Sequence, residues 1–169
     1  MKEILINSYE FNLKYAFELV RDLDDSQMTH SPCKGFENHP SFTLGHLVTA
    51  AALTAKYLGG PFKLEPNWED LFRRKGPGDP RLPESNAADY PKKDELLAEL
   101  SNQHQMVEFL IVDLDEKRFK EPAHWRFSDH MPTLGDLLFF ICISHENMHL
   151  GQLAAWRRAM ELPSALAKL

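Results

Sequence analysis

The chain runs to 169 residues, 43% of them hydrophobic and 26% charged, a make-up that excludes a wholly disordered chain and suits a globular one. That length fits one domain, residues 1–169, large enough to bury a core without disulfides or a structural metal. Its 19 basic and 25 acidic side chains leave a net charge of −6, which argues against nucleic acid as a partner, because counterion release needs a basic face.

Four segments carry a helical period. Ile4, Phe11, Tyr15, Leu19 and Leu23 recur at four- and seven-residue spacings and predict a first helix over 4–23 with those residues on its inner face. A turn-rich stretch with Pro32, Gly35 and Pro40 follows. Ser41 or Thr43 then caps a second, alanine-rich helix that stops at Gly59-Gly60-Pro61. Pro91 suits the first turn of a third helix, whose stripe is Leu96, Leu97, Leu100, Val107, Leu110, Ile111 and Leu114. The fourth starts at Thr133, a good N-cap, and runs to Met160. Its broad apolar face holds Leu134, Leu137, Leu138, Ile141, Met148, Leu153 and Trp156. No stretch alternates as a strand would, so the expected class is all-α with four main helices.

The link between the second and third helices, Gly59 to Asp89, is too long for a structureless loop in a compact domain. It reads as a long crossover of a helical bundle, with Trp68–Phe72 as a short docked helix. A second link, Asp115 to Pro132, holds Phe119, Trp125 and Phe127, which either pin it to the body or wall a pocket. The longest apolar run, residues 137–143, is far short of a bilayer span, and the first residues carry no signal-peptide pattern. The expected setting is the cytoplasm, without a membrane partner. Two cysteines fit a reducing compartment: Cys142 reads as a small core residue and Cys33 as an inert loop thiol.

Eight histidines give the chain its chemistry. His145 and His149 stand one helical turn apart, so both imidazoles can address one atom. They could equally be two hydrogen-bonded or surface histidines. His145-Glu146-Asn147-Met148-His149 also fits H-E-x-x-H, in which a glutamate is general base of a zinc peptidase. Only twenty residues follow, without a further histidine, which argues against the extended peptidase motif. A third ligand from another helix is the alternative, and His46 follows Gly45 amid apolar neighbours. Gly45 would let another backbone approach closely, at a propensity cost of about 1 kcal/mol.

Gly45-His46-Leu47 on the second helix, with His145-x-x-x-His149-x-Gly151-Gln152-Leu153 on the fourth, resembles the DinB-like (YfiT-like) superfamily over nearly the whole chain. The resemblance implies an up-down-down-up four-helix bundle with its long crossover between helices two and three. It implies a divalent metal held by His46, His145 and His149, and a homodimer. Some members transfer low-molecular-weight thiols such as bacillithiol or mycothiol to electrophiles, and one is a maleylpyruvate isomerase. The implied function is therefore a metal-dependent thiol S-transferase or a related hydrolase with a small-molecule substrate. The alternative is a non-catalytic, stress-linked metal-binding module.

Three neutral imidazoles leave coordination positions open, as catalytic sites do. Zinc suits an all-imidazole set best, with nickel or iron as alternatives. Glu146 and His104 are the catalytic candidates. Glu146, next to a ligand in sequence but turned away from it, reads as a base, a partner of a ligand, or a solvated or ion-paired group. His104, on the inner stripe of the third helix, reads as a substrate-orienting group or a satisfied core histidine. Asn12 and Tyr15 are weaker pocket candidates, and His30, His39, His124 and His130 read as surface residues. Trp156, Leu137 and Phe140 are offered either as a dimer face or as core.

Overall fold

The computed structural model describes residues 2–74, 76, 79, 81–84 and 86–169. Six α-helices organise it: α1 (Lys2–Val20), α2 (Pro40–Tyr57), α3 (Trp68–Phe72), α4 (Lys93–Asp113), α5 (Leu134–Phe139) and α6 (Glu146–Ala159). A π-helical segment, Phe140–His145, joins α5 to α6 without a break. The last three pieces therefore form one long, internally wider helix, and α1, α2 and α4 supply the other three members of a bundle. Among the described residues there is no strand, only an isolated bridge between Pro122 and Thr133. No helix there is long and apolar enough to cross a membrane.

Two apolar clusters fix the topology. One gathers Leu19 and Val20 of α1, Leu44 and Leu47 of α2, Leu96 and Leu100 of α4, and Leu153 and Trp156 of α6. The other gathers Leu5 and Tyr9, Ala51 and Ala55, Val107 and Ile111, Leu137 and Leu138. The early part of α1 and of the last helix thus meets the late part of α2 and α4. Hence α2 and α4 run parallel to each other and antiparallel to the outer pair, the up-down-down-up order. Two parallel neighbours need a connection as long as the bundle, which accounts for the long link. Fully burying each large apolar side chain contributes about 1.5–3 kcal/mol, and Trp156, Leu137, Leu96 and Leu100 are all fully buried.

Several local expectations change. The inner face of α1 is Leu5, Tyr9, Asn12, Ala16 and Leu19, while Ile4 and Phe11 are exposed. The polar Asn12 on the true face hides it from a hydrophobic pattern. The helix also ends at Val20, before Leu23. The cap of α2 is His39, not Ser41 or Thr43: its Nδ1 accepts from the Phe42 amide at 3.2 Å, with Pro40 in the first turn. His39 is accordingly buried rather than on the surface, its ring edge-on to Tyr90 at 4.7 Å. Thr133 does cap α5, in a reciprocal box with Asp136. Trp156 and Leu137 are fully buried core residues and not an outer dimer face, while Phe140 is half-buried and lines a cavity.

Candidate metal centre

His46, His145 and His149 converge. One ring nitrogen from each lies within 4.8 Å of the others, and the Nε2 atoms of His46 and His145 are 3.3 Å apart. Two nitrogens at the usual zinc–imidazole distance in a tetrahedron stand about 3.3 Å from each other, so this spacing fits a shared divalent ion. The chain brings the rings together by three separate means. His46 leaves α2 immediately after Gly45, where the Phe72 ring packs so closely that any Cβ would fall inside 3.0 Å of it. What approaches Gly45 is thus a side chain from α3 and not a backbone. His145 closes the π segment, and His149 follows one turn later on α6.

The outer nitrogens set the tautomers. His46 Nδ1 lies 3.0 Å from the Phe72 carbonyl, which can only accept, so Nδ1 carries the proton and Nε2 is left as a lone pair. His149 Nδ1 lies 3.1 Å from Gln152 Oε1 and donates to it in the same way. Such outer hydrogen bonds orient and sharpen imidazole ligands. His145 Nδ1 is buried without a hydrogen-bond partner among the described residues. Burial pushes the His149 imidazole down to about 3 and His145 down to about 4, in each case with neighbouring imidazoles adding to the effect. Burial lowers His46 too, opposed by its bond to Phe72. All three rings are therefore neutral at physiological pH, the form that binds a metal.

His145 closes the π segment, inside which the Cys142 carbonyl accepts a hydrogen bond from Asn12 Nδ2 at 3.1 Å, within the bundle. Asn12, read as a weak pocket candidate, holds the wider turn and does not line the cavity. π-segments of this kind recur at functional sites.

Glu146 and His104 meet each other, away from the cavity wall. His104 Nε2 is hydrogen-bonded to Glu146 Oε1 at 2.8 Å, and the His104 ring stacks on Tyr9 with centroids 3.7 Å apart. Both are almost fully buried, so Glu146 is paired and not solvated. Burial raises its carboxyl and the His104 partner opposes that rise. Tyr15 does not line the cavity either, and His30, His124 and His130 are exposed, as expected for surface positions.

A cavity of about 450 Å³ opens onto the three imidazoles, within the range of small-molecule sites. Leu53, Trp125, Phe127, Phe140 and Ile141 give it an apolar wall, so two aromatics of the second link wall a pocket, while the third, Phe119, pins the link to the core. Arg73, Arg74 and Arg126 also line it. Sequence reasoning missed these arginines: they sit in irregular segments, where neither period nor motif marks them.

The fold and the triad define a class: an up-down-down-up helical bundle with a three-histidine centre facing an apolar cavity. A family model described as the DinB superfamily matches residues 8–153, and the chain belongs to that superfamily. Neither the curated proteins nor the solved structures contain a significant match to it.

Proposed function

We propose that the protein is a metal-dependent enzyme acting on a small molecule, with His46, His145 and His149 holding one divalent ion. The observation that carries this reading is the convergence of three neutral imidazoles, two of them locked in the ligating tautomer, on a cavity large enough for a substrate. A divalent ion so held supplies Lewis acidity and favours the deprotonated form of a water or thiol brought to it. Zinc is the first choice for this donor set, with nickel or iron as alternatives.

The chain's own residues bind, orient and exclude water. The apolar wall receives the body of the substrate and limits solvent at the reacting end. Phe72 and Gln152 keep the His46 and His149 lone pairs aimed inward. Glu146 and His104 act as positioning residues in this reading. Their bond ties α6 to α4 directly beside His145, and neither touches the cavity. Thiol transfer to a small electrophile, or a related hydrolysis, is the chemistry proposed from the superfamily. The homodimer and the cytoplasmic setting belong to the same proposal; the two cysteines are unpaired, in keeping with a reducing compartment.

The non-catalytic alternative calls for a fourth protein ligand. His104, a fully buried histidine of the bundle interior, is engaged by Glu146 instead. Among the described residues no further His, Cys, Asp or Glu joins the triad. The test is thioether formation between a chloronitrobenzene and a panel of thiols, using protein loaded with zinc, nickel or iron(II). The enzyme reading expects turnover with at least one pair and its loss in His149→Ala. Full metal retention without turnover for any thiol or ester substrate supports the binding module instead.

A further inference from the structure

The cavity before the three imidazoles carries Arg73, Arg74 and Arg126 and, among the described residues, no carboxylate. In a chain with more acidic than basic side chains, that local excess of positive charge runs against the composition. Arg73 is engaged by Glu69 in an ion pair one helical turn away. Arg74 and Arg126 make no hydrogen bond or ion pair among the described residues. Arg74 Nη2 is buried with no partner, and the charges acting on it, Arg81 and Asp79, are bonded to each other. A buried guanidinium nitrogen without a partner is costly because it is desolvated and charged, a cost that an anionic ligand oxygen would offset.

Both guanidiniums lie near an aromatic ring. The Arg74 guanidinium carbon lies 4.1 Å from the centroid of Phe42, and the Phe42 ring lies nearly parallel to His46 with centroids 6.0 Å apart. Arg74 and the metal-binding imidazole of His46 thus share the Phe42 ring as a neighbour. The Arg126 guanidinium lies 5.7 Å from the Phe127 centroid. Its nitrogens also stand 2.9–3.0 Å from where a Cβ on Gly76 would be, so the bare backbone at that position leaves room for it. The two irregular segments that flank the cavity thus each present one uncommitted guanidinium, and an apolar wall adjoins them.

We propose that Arg74 and Arg126 form an anion-binding subsite, and that the site takes a small amphipathic carboxylic acid. The acid's apolar or aromatic body lies against Leu53, Trp125, Phe127 and Phe140, with its carboxylate on the two guanidiniums and its reactive end toward the imidazoles. Arginine matches a carboxylate with paired, directional donors. Only the placement of the reactive end rests on the metal-centre reading; the subsite itself is a property of the arginines.

The test is calorimetric titration of the full chain with 4-phenylbutyrate and with its neutral isostere 4-phenylbutanamide, after chelator treatment and again after zinc loading. Charge-assisted hydrogen bonds are the stronger kind, so the acid is expected to bind at least about tenfold tighter than the amide, with or without zinc. Arg126→Gln and Arg74→Gln each shrink that preference, whereas Arg73→Gln leaves it. Arg126 is exposed, so its variant retains the fold even if loss of Arg74 from Phe42 does not permit one. Equal affinity for acid and amide overturns the proposal, as does no binding of either. A preference that appears only with zinc overturns it too, because the carboxylate is then bound by the ion. Absence of zinc binding overturns the metal-centre reading alone, since the chelator-treated titration still reads the arginines.

Discussion

Replacing Gly45 by alanine tests how the bundle and the site are joined. In an ordinary helix interior the change gains about 1 kcal/mol of propensity. Here the new Cβ would overlap three carbons of the Phe72 ring. That ring is fully buried and wedged beside Trp68 and Tyr90, with centroids 5.5 and 5.9 Å away, so it cannot swing aside. Overpacking of this kind costs about 1–3 kcal/mol, and the short α3 is the element that must shift. Its last residue supplies the carbonyl that holds His46 Nδ1. Loss of such an outer bond lowers metal affinity by about 10- to 100-fold. Thermal unfolding in chelator and metal competition against a chromophoric chelator read the two effects separately. Gly151→Ala is the control, because nothing lies within 4 Å of its Cβ position and it gains stability. Gly45→Ala is expected to be less stable than wild type by up to about 2 kcal/mol, net of propensity, and to bind metal more weakly. A Gly45→Ala protein as stable as Gly151→Ala, with wild-type metal affinity, refutes the packing argument.

Asn12→Leu removes the donor to the Cys142 carbonyl and leaves that carbonyl buried, at a cost of about 1–3 kcal/mol. Metal affinity falls with it, because the wider turn that aims His145 loses its tie; chemical denaturation and metal competition both report this, and unchanged affinity would detach Asn12 from the site. A second outcome concerns pH in metal-free protein. His145 and His149 stay neutral when folded, near 4 and near 3 against 6.5 for the free side chain. The unfolded chain therefore binds more protons as pH falls below 6.5, and each of these two imidazoles lowers stability by a slope that approaches about 1.4 kcal/mol per unit of acidification. Glu146, whose carboxyl burial raises, contributes in the opposite sense, so the readout is a difference. Between pH 6.5 and 5 the denaturation free energy of His149→Ala falls less steeply than that of wild type, and identical slopes would count against the buried neutral ring.

The helices were legible because apolar spacing is a local property. Thr133 as a cap, Trp68–Phe72 as a docked turn and the pairing of His145 with His149 all follow from residues within a turn of one another. The inner face of α1 was missed because Asn12 lies on it, and a pattern of hydrophobicity cannot anticipate a polar side chain needed by a carbonyl far along the chain. The π segment was missed as well: the apolar pattern of Phe140–His145 reads as ordinary helix, and the bond from Asn12 to the Cys142 carbonyl joins residues far apart in the chain. His39 as a cap broke the usual preference for Ser, Thr, Asp or Asn, its ring nitrogen doing what a short side-chain oxygen does elsewhere. The inclusion of His46 with the other two came from the resemblance, since spacing alone left it an ordinary interior histidine. Arg74 and Arg126 carry no signal of any kind before the loops are folded against the bundle.

The central claim is that three imidazoles hold one ion, and elemental analysis of the purified protein beside His46→Ala, His145→Ala and His149→Ala measures it directly. The account predicts one equivalent of a divalent metal per wild-type chain and little in each variant, with helical circular dichroism retained. Wild-type metal content in any of the three variants, or none in wild type after exposure to zinc, nickel and iron(II), would contradict it.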